Sequence, residues 1–321
     1  QAWGFEYGEI FELHQGWKFS LGRAGHILGS CWVRLMTRAG ESVLFSGDLG
    51  GRNRPLLRDA EVPEPADLLV LESTYGDRLH PPEGDRIAEL GAVLAHCLED
   101  GGKVFIPVFA LGRAQELLYE MDRLFSDPAY GFKKRPPVFV DSPLGLEVTK
   151  IYAGLKPFWD KEARDLWARG DHPLDFDGLY AVERHSDHEK LLEMQGPAVI
   201  LAGSGMCTGG RILNHLKAGI HRPENDVVFV GYQARGTLGR RIQRAAGQGG
   251  GQVEIQGQRR RVRAGVHVLA GYSAHADQAG LVDWASSLND YKMPIKLVHG
   301  EPEAQAALRD ALDKRGSRTI A

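Results

Sequence analysis

Short apolar runs, each followed at once by a turn and often by a stretch of helical periodicity, recur along this chain. Val43-Leu44-Phe45, Asp67 to Leu71, Lys103 to Val108, Val138-Phe139-Val140, Ala198 to Ala202, Val227 to Val230, Val266 to Leu269 and Ile295 to Val298 read as strands. Arg86 to Leu98 and Arg113 to Phe125 read as helices. Runs that are apolar throughout belong to strands covered on both faces, so the pattern predicts an α/β protein with buried, largely parallel sheets. The segment Glu12 to Arg38 alternates more and carries aromatics, which points to an antiparallel start.

In open α/β sheets, ligands collect at the carboxyl ends of the strands. Asp48, Glu72, Asp141, Ser204 and His299 all follow apolar runs at such ends. With His26 in Ala24-Gly25-His26-Ile27-Leu28-Gly29-Ser30 and His275 in Ser273-Ala274-His275-Ala276-Asp277, the residues Asp48, Glu72 and His299 make a set of five ionisable side chains at turns beside apolar runs. Singly, each is more often a turn former or a satisfied core polar group. As a set they read as a dispersed metal site. Imidazole nitrogen and carboxylate oxygen suit zinc, and an open position on such a metal makes hydroxide from water at neutral pH.

The ordered set, with Ser46-Gly47-Asp48-Leu49-Gly50, Leu71-Glu72-Ser73-Thr74-Tyr75-Gly76 and Leu297-Val298-His299-Gly300-Glu301, resembles the metallo-β-lactamase superfamily and, within it, the β-CASP nucleases. The run Gly203-Ser204-Gly205-Met206-Cys207-Thr208-Gly209-Gly210-Arg211-Ile212-Leu213 is most similar to the bacterial ribonuclease branch. The resemblance implies a metallo-β-lactamase αββα sandwich, incomplete at its amino-terminal side, with an inserted α/β β-CASP domain. The expected plan is residues 1–78 for the first part of the sandwich, 79–262 for the insert and 263–321 for its return. Pro81-Pro82-Glu83-Gly84 marks the first junction. Gly247-Gln248-Gly249-Gly250-Gly251, with a hairpin expected over Val253 to Val262, marks the second.

The resemblance also assigns roles. His26 and His299 are implied zinc ligands and Asp48 a carboxylate bridging two zinc ions. His275 is the implied general acid that protonates the leaving 3′ oxygen, with Glu72 as its partner. A carboxylate bonded to one imidazole nitrogen fixes the tautomer such an acid needs. A second reading of the same segment is a helix start, with Asp277 leading into an amphipathic helix through Leu288, and the two are compatible. Family members carry an HxHxDH signature upstream of the segment matched by His26, and no such string stands in this chain. The expectation is therefore a fragment with an incomplete ligand set, inactive by itself. A degenerate homologue is the competing expectation.

His185-Ser186-Asp187-His188-Glu189 looks superficially like a metal motif, but Ser186 and Glu189 form the S-x-x-E capping box of a helix start, and that reading is preferred. The turn from Gly203 to Arg211 follows a strand and precedes a helix expected near Gly210, an arrangement whose backbone N–H groups favour phosphate. Ser204, Gly205, Met206, Gly209 and Arg211 are accordingly expected to meet RNA. Arg235, in Tyr232-Gln233-Ala234-Arg235-Gly236-Thr237, adds charge beside an aromatic face. Arg113 in Phe109-Ala110-Leu111-Gly112-Arg113 and Ser142 in Asp141-Ser142-Pro143-Leu144 complete the expected RNA-facing set. The run Arg259-Arg260-Arg261-Val262-Arg263 reads more readily as a solvated face.

Lys and Arg number 39 against 42 Asp and Glu, a formal net charge of −3, so any polyanion must meet a local basic surface rather than the summed field. Cys31, Cys97 and Cys207 lie far apart and read as buried thiols rather than a disulfide framework or thiolate zinc site. No apolar run approaches the roughly 18 residues of a membrane span, and the first residues do not form a signal peptide. The reading is a cytoplasmic, zinc-dependent ribonuclease acting on single-stranded RNA. A non-catalytic β-CASP RNA-binding protein and a DNA-directed β-CASP nuclease are the alternatives. A homodimer is left open.

Overall fold

The structure is a computed structural model and describes residues 4–288 and 293–320. The chain begins with β1 (Ile10–Glu12), β2 (Lys18–Arg23), β3 (Cys31–Met36), β4 (Ser42–Phe45) and β5 (Leu68–Glu72). It runs on through α1 (Glu83–Asp100), β6 (Lys103–Pro107), α2 (Arg113–Ser126), β7 (Val138–Val140), α3 (Pro143–Gly154), α4 (Lys161–Ala168) and β8 (Leu179–Ala181). Next come α5 (His185–Glu193), β9 (Ala198–Ala202), α6 (Ile212–Gly219), β10 (Asp226–Phe229), α7 (Leu238–Gly247), β11 (Gln252–Ile255), β12 (Gln258–Arg261) and β13 (Gly265–Val268). The last elements are α8 (Gln278–Ser287), β14 (Pro294–Val298), α9 (Pro302–Lys314) and β15 (Arg318–Ile320).

These elements form two compact units, one of residues Gln1–His80 with Ala274–Ala321 and the other of Pro81–Ser273. The second division lies later than the boundary after 262 expected from sequence. The glycine run does end α7 and lead into the β11–β12 hairpin, but β13 then pairs in parallel with β10, so the chain stays in the second unit until that strand is complete.

In the first unit a seven-stranded sheet has the order β1-β2-β3-β4-β5-β14-β15. Its β1 to β4 half is antiparallel, as the aromatic alternation implied, and β4, β5, β14 and β15 run parallel. Leu44, Leu69, Leu71, Ile295 and Leu297 share one face and pack with Leu281 and Ala285 of α8 and Leu308 and Leu312 of α9. Each such fully buried aliphatic side chain contributes about 1.5–3 kcal/mol. The opposite face carries Leu35, Val43, Phe45 and Val70, of which Phe45 remains 41% exposed. Of the two β layers that the family resemblance implies, the described residues of this unit supply one.

The second unit holds a parallel six-stranded sheet of order β13-β10-β6-β9-β7-β8. Every residue of β9 and β10 is buried, which is why these strands read as apolar runs, apart from Asp226 at the start of β10. Ser142 caps α3 by accepting from the Gly145 N–H, and Pro143 occupies the first helical position, where its missing donor costs nothing. The helix α1 ends at Gly101 in the left-handed conformation, φ 74°. Among the described residues no helix is long and apolar enough to cross a membrane.

Candidate functional site

In the first unit β4, β5 and β14 are adjacent and parallel, so their carboxyl ends lie along one edge. Asp48 follows β4, Glu72 ends β5 and His299 follows β14. The turns are tight. A Cβ on Gly50 would strike the Gly25 carbonyl, and one on Gly300 would strike Ser73, so both positions require glycine. His299 itself takes a left-handed φ of 54°, a conformation histidine tolerates better than most side chains. His275 arrives from the segment before α8, whose amino terminus Asp277 caps by accepting from Gly280 N–H at 2.9 Å. The helix-start reading of this segment therefore holds beside its place in the cluster.

Asp48, Glu72, His275 and His299 each offer an atom within 4.8 Å of the others. They divide into two pairs. Glu72, 1% exposed, accepts the Leu49 N–H at 2.6 Å, and its oxygens lie 3.1 and 3.0 Å from His275 Nδ1. With the carboxylate able only to accept, Nδ1 carries the hydrogen and Nε2 is the nitrogen left for other chemistry. The second pair is more open: His299 Nδ1 lies 3.3 Å from Asp48 Oδ1, with side chains 58% and 43% exposed. Thr74 Oγ1 donates to the His299 carbonyl at 3.0 Å and lies 3.2 Å from its Nδ1. The His26 ring centroid is 4.4 Å from that of His275, outside the four-residue group but against it.

The second unit holds a group that sequence reasoning passed over. Asp141 Oδ2 lies 2.5 Å from His188 Nδ1 and 2.6 Å from His215 Nε2, while Arg211 donates to Oδ1 at 2.8 Å. Burial alone would push the Asp141 carboxyl up, but the hydrogen bonds from His215, His188 and Arg211 outweigh it and hold the group below the usual carboxylate range. His188 also corrects the capping-box expectation. The helix α5 starts at His185 with Arg184 at the cap position and no side-chain cap bond, so Ser186 lies inside the first turn and His188 faces the core. The pairing of Asp141 at a strand end with histidines on two later helices left no local spacing to find it by.

Two expected RNA contacts are likewise corrected. Arg113 is 5% exposed, ion-paired with Glu116 and donating to the Tyr272 carbonyl at 2.8 Å. Arg211 spends its guanidinium on Asp141 and on the Val182 and Glu183 carbonyls. Both are internal ties, because an arginine in a strand-to-helix turn reads the same in sequence whether it points outward or inward. Ser142 is committed to capping α3, and Ser204 Oγ accepts from Thr208 and Gly209 N–H at 2.9 and 3.2 Å. Other members of the set do come together: Gln233 donates to the Gly205 carbonyl at 2.9 Å, and Gly239 N–H donates to the Met206 carbonyl at 3.3 Å. That stitches the 203–211 turn to the loop bearing the exposed Arg235. Phe109 lies against Gly205 and is 45% exposed.

Cys97 and Cys207 are buried and Cys31 half-buried, all free thiols, and burial pushes the Cys97 and Cys207 thiols up to about 12.

Residues 114–242 match the Beta-Casp domain family, and residues 259–321 match the Zn-dependent metallo-hydrolase RNA specificity domain family. The chain is 40% identical over 312 residues to ribonuclease TTHA0252 of Thermus thermophilus, covering 97% of this chain and 69% of that protein. It is 32% identical over 306 residues to transcription termination factor FttA of Methanothermobacter thermautotrophicus, covering 92% of this chain and 47% of the relative. FttA of Pyrococcus abyssi is 30% identical over 320 residues, covering 97% and 48%. The chain thus spans about half the length of these archaeal relatives.

Proposed function

The chain belongs to the β-CASP branch of the metallo-β-lactamase superfamily of RNA nucleases, and from that premise we propose that its first unit carries the hydrolytic centre of a zinc-dependent ribonuclease acting on single-stranded RNA. The observation that supports this reading is the division of the four clustered side chains into a buried dyad, Glu72 with His275, and a half-exposed pair, Asp48 with His299. In the dyad the Glu72 oxygens are committed, accepting from the His275 Nδ1–H and the Leu49 N–H. The pair keeps donor atoms open.

Imidazole nitrogen and carboxylate oxygen fit zinc, and His26, Asp48 and His299 would hold it. When bound, it supplies Lewis acidity toward the phosphodiester. Glu72, anchored by the Leu49 N–H, accepts from His275 Nδ1 and so fixes the ring's orientation. As a water oxygen bonds to phosphorus and the bond to the 3′ oxygen breaks, a protonated His275 gives its Nε2 proton to that oxygen, so that it leaves as a hydroxyl and not as an alkoxide. In the second unit the backbone of the Gly203 to Arg211 turn, with Arg235, would meet phosphate. The exposed Phe109 ring offers a face for base stacking.

The test is His275→Ala in the full-length protein. Zinc content and RNA affinity are expected to stay, while turnover falls by roughly 10² to 10⁴, the usual worth of a positioned proton donor. The loss should shrink on a substrate with a 3′-bridging phosphorothiolate at the scissile position, because a thiolate leaves without a proton. Loss of zinc, or an equal loss of rate on both substrates, overturns the assignment. Equal cleavage of single-stranded DNA moves the substrate class to the DNA-directed alternative.

A further inference from the structure

His80 lies in the loop after β5 and takes no part in the cluster of titratable side chains, yet it is bonded to the backbone of His275 and to the side chain of Asp277. Its Nε2 lies 3.0 Å from the His275 carbonyl oxygen. A carbonyl only accepts, so Nε2 carries the hydrogen, and the ring is placed in one tautomer by the backbone of its neighbour. The His80 backbone N–H donates at 2.9 Å to Asp277 Oδ2, whose other oxygen caps α8. Residues 275 and 277 are thus held from one side by a single residue.

The other side is closed by the dyad's own frame. The Ala276 N–H donates to the Leu49 carbonyl at 2.7 Å, and the Leu49 N–H donates to Glu72 at 2.6 Å. The short antiparallel bridge of Gly50 with His275 runs through the Leu49 and Ala274 carbonyls and leaves the His275 carbonyl to His80. The remaining ring nitrogen of His80, Nδ1, is buried with no hydrogen-bond partner among the described residues, and burial lowers the ring's pKa, which favours its neutral form. A side chain chosen for packing would not carry that orphaned nitrogen. What the imidazole contributes here is the Nε2–H. Tyr75 packs edge-on against it at 4.9 Å between centroids and holds it in place.

We propose that His80 is a positioning residue for His275, fixing the backbone of the proton donor as Glu72 fixes its ring. The proposal rests on His275 being the general acid. Losing the donor frees the 274–277 segment on one side, and misplacement of a reacting group by about 1 Å can lower rate by up to about 10²-fold.

The experiment compares His80→Phe, which keeps a ring without a donor, with His80→Gln, whose amide nitrogen can take the place of Nε2, both in the full-length protein. His80→Phe is expected to lower kcat roughly 10- to 100-fold with KM and zinc content unchanged. That loss should shrink on the 3′-bridging phosphorothiolate substrate, and His80→Gln should recover most of the rate. Long-range proton–nitrogen spectra of the histidine rings supply a readout apart from activity: wild type should show His80 as the Nε2–H tautomer, and His80→Phe should move the ring signals of His275. A kcat within twofold of wild type together with unmoved His275 signals overturns the proposal. So does a His80→Gln variant as impaired as His80→Phe at the same melting temperature. Failure of the general-acid reading is seen separately, as an equal loss by His275→Ala on both substrates, and the His275 ring signals still report whether His80 holds that segment.

Discussion

At the ends of β4 and β14, Asp48 and His299 keep 43% and 58% of their side chains exposed, whereas at the end of β7 Asp141 is enclosed with His188 and His215, each at most 1% exposed. Both groups bring histidine and carboxylate atoms within 4.8 Å of one another, and both stand where parallel strands end. They differ in what meets the negative charge. Asp141 has two imidazoles on one oxygen and the Arg211 guanidinium on the other, so its charge is compensated within the protein. Among the described residues, Asp48 has the half-exposed His299 ring at 3.3 Å and no guanidinium in its ion pair. Residue types suited to a metal therefore do not distinguish a site from a structural tie. The compensation of the carboxylate does, because a group already bound to a guanidinium has nothing to offer a cation.

The largest effect that could break this comparison comes from Asp141→Asn. Removing the charge leaves Arg211 and two histidines converging on a neutral amide in a closed space. Deleting one partner of a buried pair costs about 3–5 kcal/mol. Denaturant unfolding should show that loss, while zinc binding per folded molecule stays at the wild-type level. A variant of wild-type stability that has lost zinc would make Asp141 a ligand and erase the distinction between the two groups.

Asp48→Asn should show the reverse. Its carboxylate is half-exposed and, among the described residues, pairs with the exposed His299, so metal-free stability should change by no more than about 0.5 kcal/mol. Zinc affinity, followed by titration calorimetry, should fall at least about tenfold, since even residues that only support a ligand are worth 10- to 100-fold. Undiminished zinc affinity would sharpen the comparison by shifting the holding of metal to His26 and His299 alone.

The same difference governs what was legible in the sequence. Asp48, Glu72 and His299 could be found because each ends or closely follows a strand-like apolar run, and parallel neighbours put those ends side by side. The apolar runs that became β6, β9 and β10, and the helices α1 and α2, carried their own periodicity. Elements of three residues such as β8 and β15 hold too few alternations to read, and their pairing with β7 and β14 supplies what their sequence lacks. Arg113, Arg211 and His188 were misread for one reason. Polar side chains default to the surface, and only tertiary partners far along the chain bury them. His80 had no local pattern at all. Its partner is 195 residues away.

A third carboxylate with two histidines lies between these extremes and gives the smallest expected effect. Asp226, at the start of β10, meets His267 Nε2 at 2.6 Å and His96 Nδ1 at 3.0 Å, but the histidine side chains are 36% and 53% exposed. Burial would raise the Asp226 carboxyl, yet the hydrogen bonds from His267 and His96 prevail and hold it below its ordinary range, while the bond to Asp226, helped by Asp100 and Glu99, raises the His96 ring. The signs then follow. Asp226 contributes stability at pH above the unfolded carboxyl value near 3.9, and loses it as pH falls through the lower folded value. His96 contributes stability that is fully present below the unfolded histidine value near 6.5 and is lost as pH rises through the raised folded value. His96→Gln removes the second contribution and weakens the first, leaving His267 on Asp226. Near pH 5.5 wild type should therefore exceed the variant in unfolding free energy by on the order of 0.5 kcal/mol, a value already reduced for solvent screening, and the part owed to His96 should fade as pH rises through its raised folded value. A difference independent of pH would mean that His96 acts by packing, and that charge compensation at Asp226, unlike that at Asp141, does not extend to its exposed partner.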